Sequence, residues 1–228
     1  ISYELNIPIP FSLVSVDTGK DQLVVMPGYW FMYNMYALAR NAGKYGQRDK
    51  RYDKTQKLEY DYLAPDSINE IFTALEKLEL YTGKAYLRSE KKSDHDTAEA
   101  MAVGKLLLKS NNKLVDTLEI TASDIENSKR KTVLVKVRQA YKVFEDVLLF
   151  YGVKSLLGLI GKNLPDSIEA LTKRIPRKLS RTPWVNLGGQ LMPAADLAEL
   201  RKKITTGKIK GWDDLHAQYA AKGELYEE

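Results

Sequence analysis

The chain has 228 residues, 44% of them hydrophobic and 29% charged, with a formal net charge of +5 and an isoelectric point near 9.1. That apolar content supports a buried core and excludes a disordered or low-complexity chain, while the basic balance favours attraction to phosphates, acidic proteins or anionic surfaces. Cysteine is absent, which excludes a disulfide framework, a thiolate metal site and a cysteine nucleophile, and fits a cytoplasmic location.

From the N-terminus, "FSLVSV" and "QLVVM" are short alternating runs separated by a Gly-containing loop, the pattern of a β-hairpin, and Pro8 and Pro10 before them favour extended chain. Pro27 is placed to open a helix, because the first helical turn does not need its missing N–H. In "PGYWFMYNMYALARNAGKYGQRDKRYDK", Arg40, Lys44, Arg48 and Arg51 then form one basic ridge, and Asn34, Asn41 and Arg48 recur every seven residues as a polar stripe. Two readings follow. The stripe and ridge suit a phosphate-bearing ligand; alternatively Trp30, Phe31, Met35, Leu38 and Ala39 are core, and the ridge is a solvated helix end neutralised by Asp49 and Asp53. The packing reading is the simpler one. Gly43 and Gly46 weaken the helix between its halves and are candidates for its end.

"PDSINEIF" fits a capping box of Ser67 and Glu70 ahead of an apolar face that includes Ile68, Ile71, Leu75 and Leu78. "SDHD" invites a metal reading at Asp94, His95 and Asp96, but adjacent residues cannot all aim at one ion from a helix, and a helix cap explains them better. "TASDIENSKRKTVLVKVRQAYKVFEDVLLFYGVKSLLGLI" reads as one long helix or two, with Val133, Val137, Ala140, Phe144, Val147 and Tyr151 at helical spacing; "TVLVKV" alone suits a strand, and helix is preferred. Its apolar end carries Glu145, Asp146 and Lys154, which makes it a buried soluble helix rather than a membrane span. Lys129, Arg130, Lys131, Lys136, Arg138 and Lys142 spread over more than one face of such a helix, which argues for solvation.

"PDSIEALTKRI", "PAADLAELRKKI" and "GWDDLHAQYAA" are further helices with acidic first turns. Between them lies a basic tract, Lys173, Arg174, Arg177, Lys178 and Arg181, followed by Trp184 and Gly188-Gly189. This loop is the second candidate site, although the Gly pair lacks the spacing of a phosphate-binding fingerprint. His216 is placed for helix packing. The sequence contains no fixed-period repeat, nucleophile elbow, cofactor motif or nucleic-acid-binding motif. The expected fold is mainly α, a helical domain over residues 27–228 preceded by a β segment over residues 1–26. The candidate ligand residues are Asn34, Arg40, Asn41, Lys44 and Arg48, with Arg177, Arg181 and Trp184 next, acting by charge pairing, amide hydrogen bonding and ring stacking rather than proton transfer.

"ELNIPIPFSLVS", "VVMPGYWFMYNMYALARN", "KYGQRDKR" and "LEYDYLAP", with "PWVNLGGQLMP" and "GKIKGWDDLHAQY" later, give the chain a resemblance to an uncharacterised bacterial family found notably in Bacteroidetes. It extends over nearly the whole length. In that family a left-handed β-helix of hexapeptide repeats, similar to that of sugar acyltransferases, precedes a region like this one. The resemblance implies that the chain is a helical C-terminal portion, entered at Ile1 in mid-pattern, with residues 1–26 as the exit from the β-helix. The hexapeptide repeats are absent here. An accessory or oligomerisation domain is therefore expected, with the upstream β-helix and other copies as partners and a sugar nucleotide or acidic carrier protein as the anionic ligand. The alternatives are part of a sugar-phosphate or nucleotide-sugar transferase site, and nucleic-acid binding through the basic segments, for which no motif speaks.

Overall fold

A computed structural model describes residues 3–52, 58–91, 96–161, 165, 167–174 and 181–223. In chain order the elements are β1 (Leu13–Asp17), β2 (Gln22–Met26), α1 (Tyr29–Tyr33), α2 (Met35–Arg48), α3 (Pro65–Ser89), α4 (Thr97–Lys109), a 3-10 turn (Lys113–Thr117), β3 (Ile120–Thr121), β4 (Lys131–Leu134), α5 (Val137–Ile160), α6 (Ile168–Arg174), β5 (Trp184–Leu187), β6 (Gln190–Pro193), α7 (Ala194–Thr205) and α8 (Trp212–Gly223). The fold is mainly α with small sheets, as the patterning predicts. It divides into two compact units, residues 1–38 with 70–163 and residues 39–69 with 164–228.

In the first unit, β1 and β2 form the expected antiparallel hairpin, with Val14 opposite Val25. The sheet continues to β4, parallel to β2, and then to β3, giving the order β1-β2-β4-β3. Alternation sets its inner face: Leu23, Val25, Thr132 and Leu134 are buried while their neighbours are not. The segment "TVLVKV" is therefore strand β4 running into α5, not helix. A parallel partner on β2 buries Thr132 and Leu134, and that pairing is invisible to local periodicity. Lys136 turns the chain at φ 59° to start α5.

Helix α3 buries Ile71, Ala74, Leu78, Tyr81 and Ala85, a stripe at three- and four-residue spacing. Val137, Ala140, Tyr141 and Phe144 of α5 complete the core with Ile9, Val115 and Ile125. Two glycines set how closely α3 and α4 approach. A Cβ on Gly83 would lie 1.7 Å from the Ala100 carbonyl oxygen, and one on Gly104 would lie 1.8 Å from that of Glu79. Ser67 is not the first cap of α3, which begins at Pro65; its hydroxyl instead accepts from the Ala64 N–H at 3.0 Å.

The expected helix after Pro27 is two helices. Gly28, at φ 63° beneath the Phe144 ring, precedes α1, and Asn34 at φ −146°, ψ 36° separates α1 from α2. No residue of either helix is buried, so Trp30, Phe31, Met35, Leu38 and Ala39 are not core. Gly43 and Gly46 lie inside α2, which runs on to Arg48.

In the second unit, "WVNLGGQLMP" is a hairpin rather than a loop. Gly188 and Gly189, at φ 67° and 96°, make the two-residue turn between β5 and β6 that requires positive φ at both positions. The Glu59 N–H donates to the Gly189 carbonyl at 2.6 Å. Helices α7 and α8 pack on β6, with Met192 and Leu200 buried. The Lys222 ammonium reaches Asp196 at 2.9 Å, and Lys203 donates to Gln218 at 2.9 Å. Tyr45 of α2 stacks on Tyr60 with ring centroids 4.8 Å apart.

Candidate functional site

The expected anion stripe on the first helices does not form as a unit. Asn34 lies in the break between α1 and α2, outside helical geometry, so it leaves the seven-residue series. Arg40, Lys44 and Arg48 do share one ridge of α2, with Asn41 and Arg48 two turns apart on it, and Asn41 and Arg48 are exposed. Arg51 lies beyond the helix and is held by Asp49 through 2.9 and 2.8 Å hydrogen bonds, as the neutralised-end reading requires of Asp49. Asp53 lies outside the described residues.

In the second candidate, Arg177 lies outside the described residues. Arg181 is exposed just before β5, and Trp184 begins that strand half-buried, opposite Pro193. The Gly pair beside them serves the hairpin turn. Asp94 and His95 also lie outside the described residues, and Asp96 is the N-cap of α4 without a side-chain cap bond. Among the described residues no cluster of His, Asp and Glu is arranged to hold a metal ion.

The third basic segment gathers more than its reading as a solvated helix allows. Lys129, Arg130 and Lys131 lie on the β3–β4 connection and the start of β4, where they line a groove of about 420 Å³ with Arg88 of α3. The groove wall is fastened from within. Arg130 donates through Nε to Glu126 Oε2 at 3.0 Å and through Nη2 to Oε1, and Glu126 also accepts from the Ser128 hydroxyl at 3.1 Å. The Arg130 and Glu126 side chains are 9% and 0% exposed, so this pair is part of the wall rather than its surface. Hydrogen bonds from Arg130 hold the Glu126 carboxyl below the usual range. Residues 4–6 brace the same loop: Asn6 N–H donates to Ile125 O at 2.7 Å and Asn127 N–H to Glu4 O at 2.9 Å.

The remaining cations face outward. Arg88 directs Nη1 and Nη2 at the neutral Thr121 hydroxyl, each at 3.2 Å. Lys131 pairs with Glu119 at 2.5 Å, both side chains about half exposed. The Lys131 hydrogen bond, then the charges of Lys131, Arg88 and Lys20, hold the Glu119 carboxyl low. Sequence reading finds the run 129–131 but not Arg88, which lies forty positions away at the end of a helix with no local signal.

A second cleft, of about 540 Å³, lies between the 3-10 turn and the β4–α5 junction. Its wall is largely aliphatic, and Gln139 Oε1 is buried there without a hydrogen-bond partner among the described residues. Arg138 beside it is committed to Asp116 at 2.6 Å and to Asn111 at 2.7 Å.

The most exposed apolar surface on a long helix is the C-terminal half of α5. Leu149, Phe150, Val153 and Leu157 are 69%, 58%, 48% and 54% exposed. Leu149, Val153 and Leu157 are spaced by four, so they form one ridge with Phe150 beside it. Among the described residues no helix is long and apolar enough to cross a membrane.

No family model matches the chain, and no solved structure matches it. It is similar to an uncharacterised protein of Treponema pallidum (strain Nichols), 36% identical over 224 residues, which is 98% of this chain and 30% of the relative. The chain thus spans about three-tenths of the length of the curated relative it matches.

Proposed function

We propose that the chain is a non-catalytic helical accessory domain of a longer, hexapeptide-type β-helix protein, fastened to the remainder of that polypeptide through the apolar ridge at the end of α5. The observation that carries this reading is the exposure of Leu149, Phe150, Val153 and Leu157 as one contiguous face. A soluble domain rarely keeps such a face bare, because covering apolar surface contributes about 25 cal/mol per Å². What supports a partner within the same polypeptide is length. The Treponema relative extends over far more chain than the part that aligns here, so most of its sequence is available to cover this face. The β-helix context rests on the resemblance of the motifs to the hexapeptide-repeat family.

The test places Leu149→Gln and Leu157→Gln together in two samples, residues 1–228 alone and the full-length gene product. In the isolated chain, surface substitutions of this kind change stability by no more than about 0.5 kcal/mol each. In the full-length protein the same pair is expected to open the segment to limited proteolysis. An unchanged digestion pattern, or a gene product with no further segment upstream of residues 1–228, overturns the reading.

A further inference from the structure

We propose that the groove beside β4 is a phosphate-binding site, taking a phosphomonoester or the terminal phosphate of a nucleotide on Arg88, Lys129 and Lys131, with Glu119 as an internal anion that the ligand displaces. The proposal concerns a face other than the α5 ridge, so each can fail without the other.

Three observations converge on it. The groove is a concavity of about 420 Å³, larger than a lone phosphate needs and open enough to admit the group to which it is attached. Its cations exceed its counter-ions. Arg130 and Glu126 neutralise each other inside the wall, which leaves Arg88, Lys129 and Lys131 on the lining against Glu119 alone, with Lys20 acting on that same carboxylate. The third observation is the state of those cations. Arg88 spends its two terminal nitrogens on a neutral hydroxyl at 3.2 Å, a long contact for a guanidinium, and Lys129 is exposed with no ion pair among the described residues.

A planar guanidinium with parallel N–H donors matches two phosphate oxygens, and an ammonium adds a point charge without fixed direction. Arg88 can therefore orient the phosphate while Lys129 and Lys131 balance its charge. Thr121, now an acceptor for Arg88, has a hydroxyl proton to give to a third oxygen. Lys131 leaves Glu119 in the same step, exchanging one carboxylate for a doubly charged oxyanion. Both members of that pair are about half exposed, so the exchange breaks no buried contact.

The probes are inorganic phosphate and ADP, each titrated into the whole chain by calorimetry at fixed ionic strength, with chloride as the reference anion. ADP is expected to bind more tightly than inorganic phosphate, because the groove extends beyond one oxyanion. Arg88→Gln is expected to weaken ADP binding about tenfold, the loss of one charge-assisted hydrogen-bonding pair. Glu119→Gln is expected to tighten it several-fold, because the competing carboxylate is gone. Lys105→Gln, an exposed cation on α4, serves as the control and should leave binding unchanged. Equal losses from Arg88→Gln and Lys105→Gln, weaker binding in Glu119→Gln, or no heat above the chloride reference each overturn the proposal. Inorganic phosphate binding as tightly as ADP confines the site to a free oxyanion and overturns the nucleotide arm.

Discussion

Gly104 packs against Gly83 so closely that a Cβ on Gly104 would lie 2.7 Å from the Gly83 nitrogen and 1.8 Å from the Glu79 carbonyl oxygen. The two glycines let α3 and α4 meet backbone to backbone. Helix-interior glycine is normally a weakness of roughly 1 kcal/mol relative to alanine, and here the sign reverses. Gly83→Ala or Gly104→Ala must push the two helices apart, at a cost of about 3 kcal/mol. Gly43→Ala in α2 meets nothing within 4 Å and is expected to stabilise by about 0.5–1 kcal/mol. Urea unfolding of the three variants checks the reversal.

The Tyr141 hydroxyl donates to Glu79 Oε1 at 2.6 Å, and both residues are buried. Burial first, then the Glu79 hydrogen bond, pushes the Tyr141 hydroxyl far above the usual phenol range, so it remains a donor at every physiological pH. Tyr141→Phe removes that donor from a buried carboxylate and is expected to destabilise by about 1–3 kcal/mol. Adding Glu79→Gln to Tyr141→Phe should recover part of the loss. Chemical denaturation of the single and double variants gives the coupling directly.

Thr82 presents the opposite case. It is fully buried, and its hydroxyl has no hydrogen-bond partner among the described residues. Thr82→Val keeps the shape and removes the unsatisfied oxygen, so stability should hold or rise by about 1 kcal/mol. A clear fall in the unfolding midpoint would mean that the hydroxyl is satisfied in solution.

Acid should unfold the first unit through its bonded carboxylates. Hydrogen bonds from Arg130 lower Glu126, those from Arg138 lower Asp116, and that from Lys131 lowers Glu119. A carboxyl depressed by folding contributes stability that is complete above its unfolded value and is lost as pH falls through the folded value. The ordinary values are 4.5 for Glu and 3.8 for Asp, so the urea midpoint should be level between pH 7 and 5 and drop below about 4.5. Glu126→Gln should make that drop shallower.

How much of this was legible in the sequence depended on how local the cause was. The β1–β2 hairpin and helices α7 and α8 follow from alternation, prolines and acidic first turns, and they stand where those signals place them. Strand β4 has the spacing of a helix locally, and its strand conformation comes from its partner β2, over a hundred residues earlier. The β5–β6 hairpin does have a local signal, Gly188-Gly189 between two short apolar runs, but it lies directly after a basic tract whose charge suggests a loop. The break at Asn34 has no residue that demands it, and it removes Asn34 from the expected stripe. The groove beside β4 was half legible: residues 129–131 are one run, but only tertiary packing brings Arg88 of α3 to them.

Amide hydrogen exchange over residues 149–158 of α5 tests the accessory-domain account most directly. The account predicts slow exchange in the full-length protein and exchange faster by an order of magnitude or more in residues 1–228 alone, because the ridge of Leu149, Val153 and Leu157 loses its cover. Equal exchange rates in the two samples would contradict it.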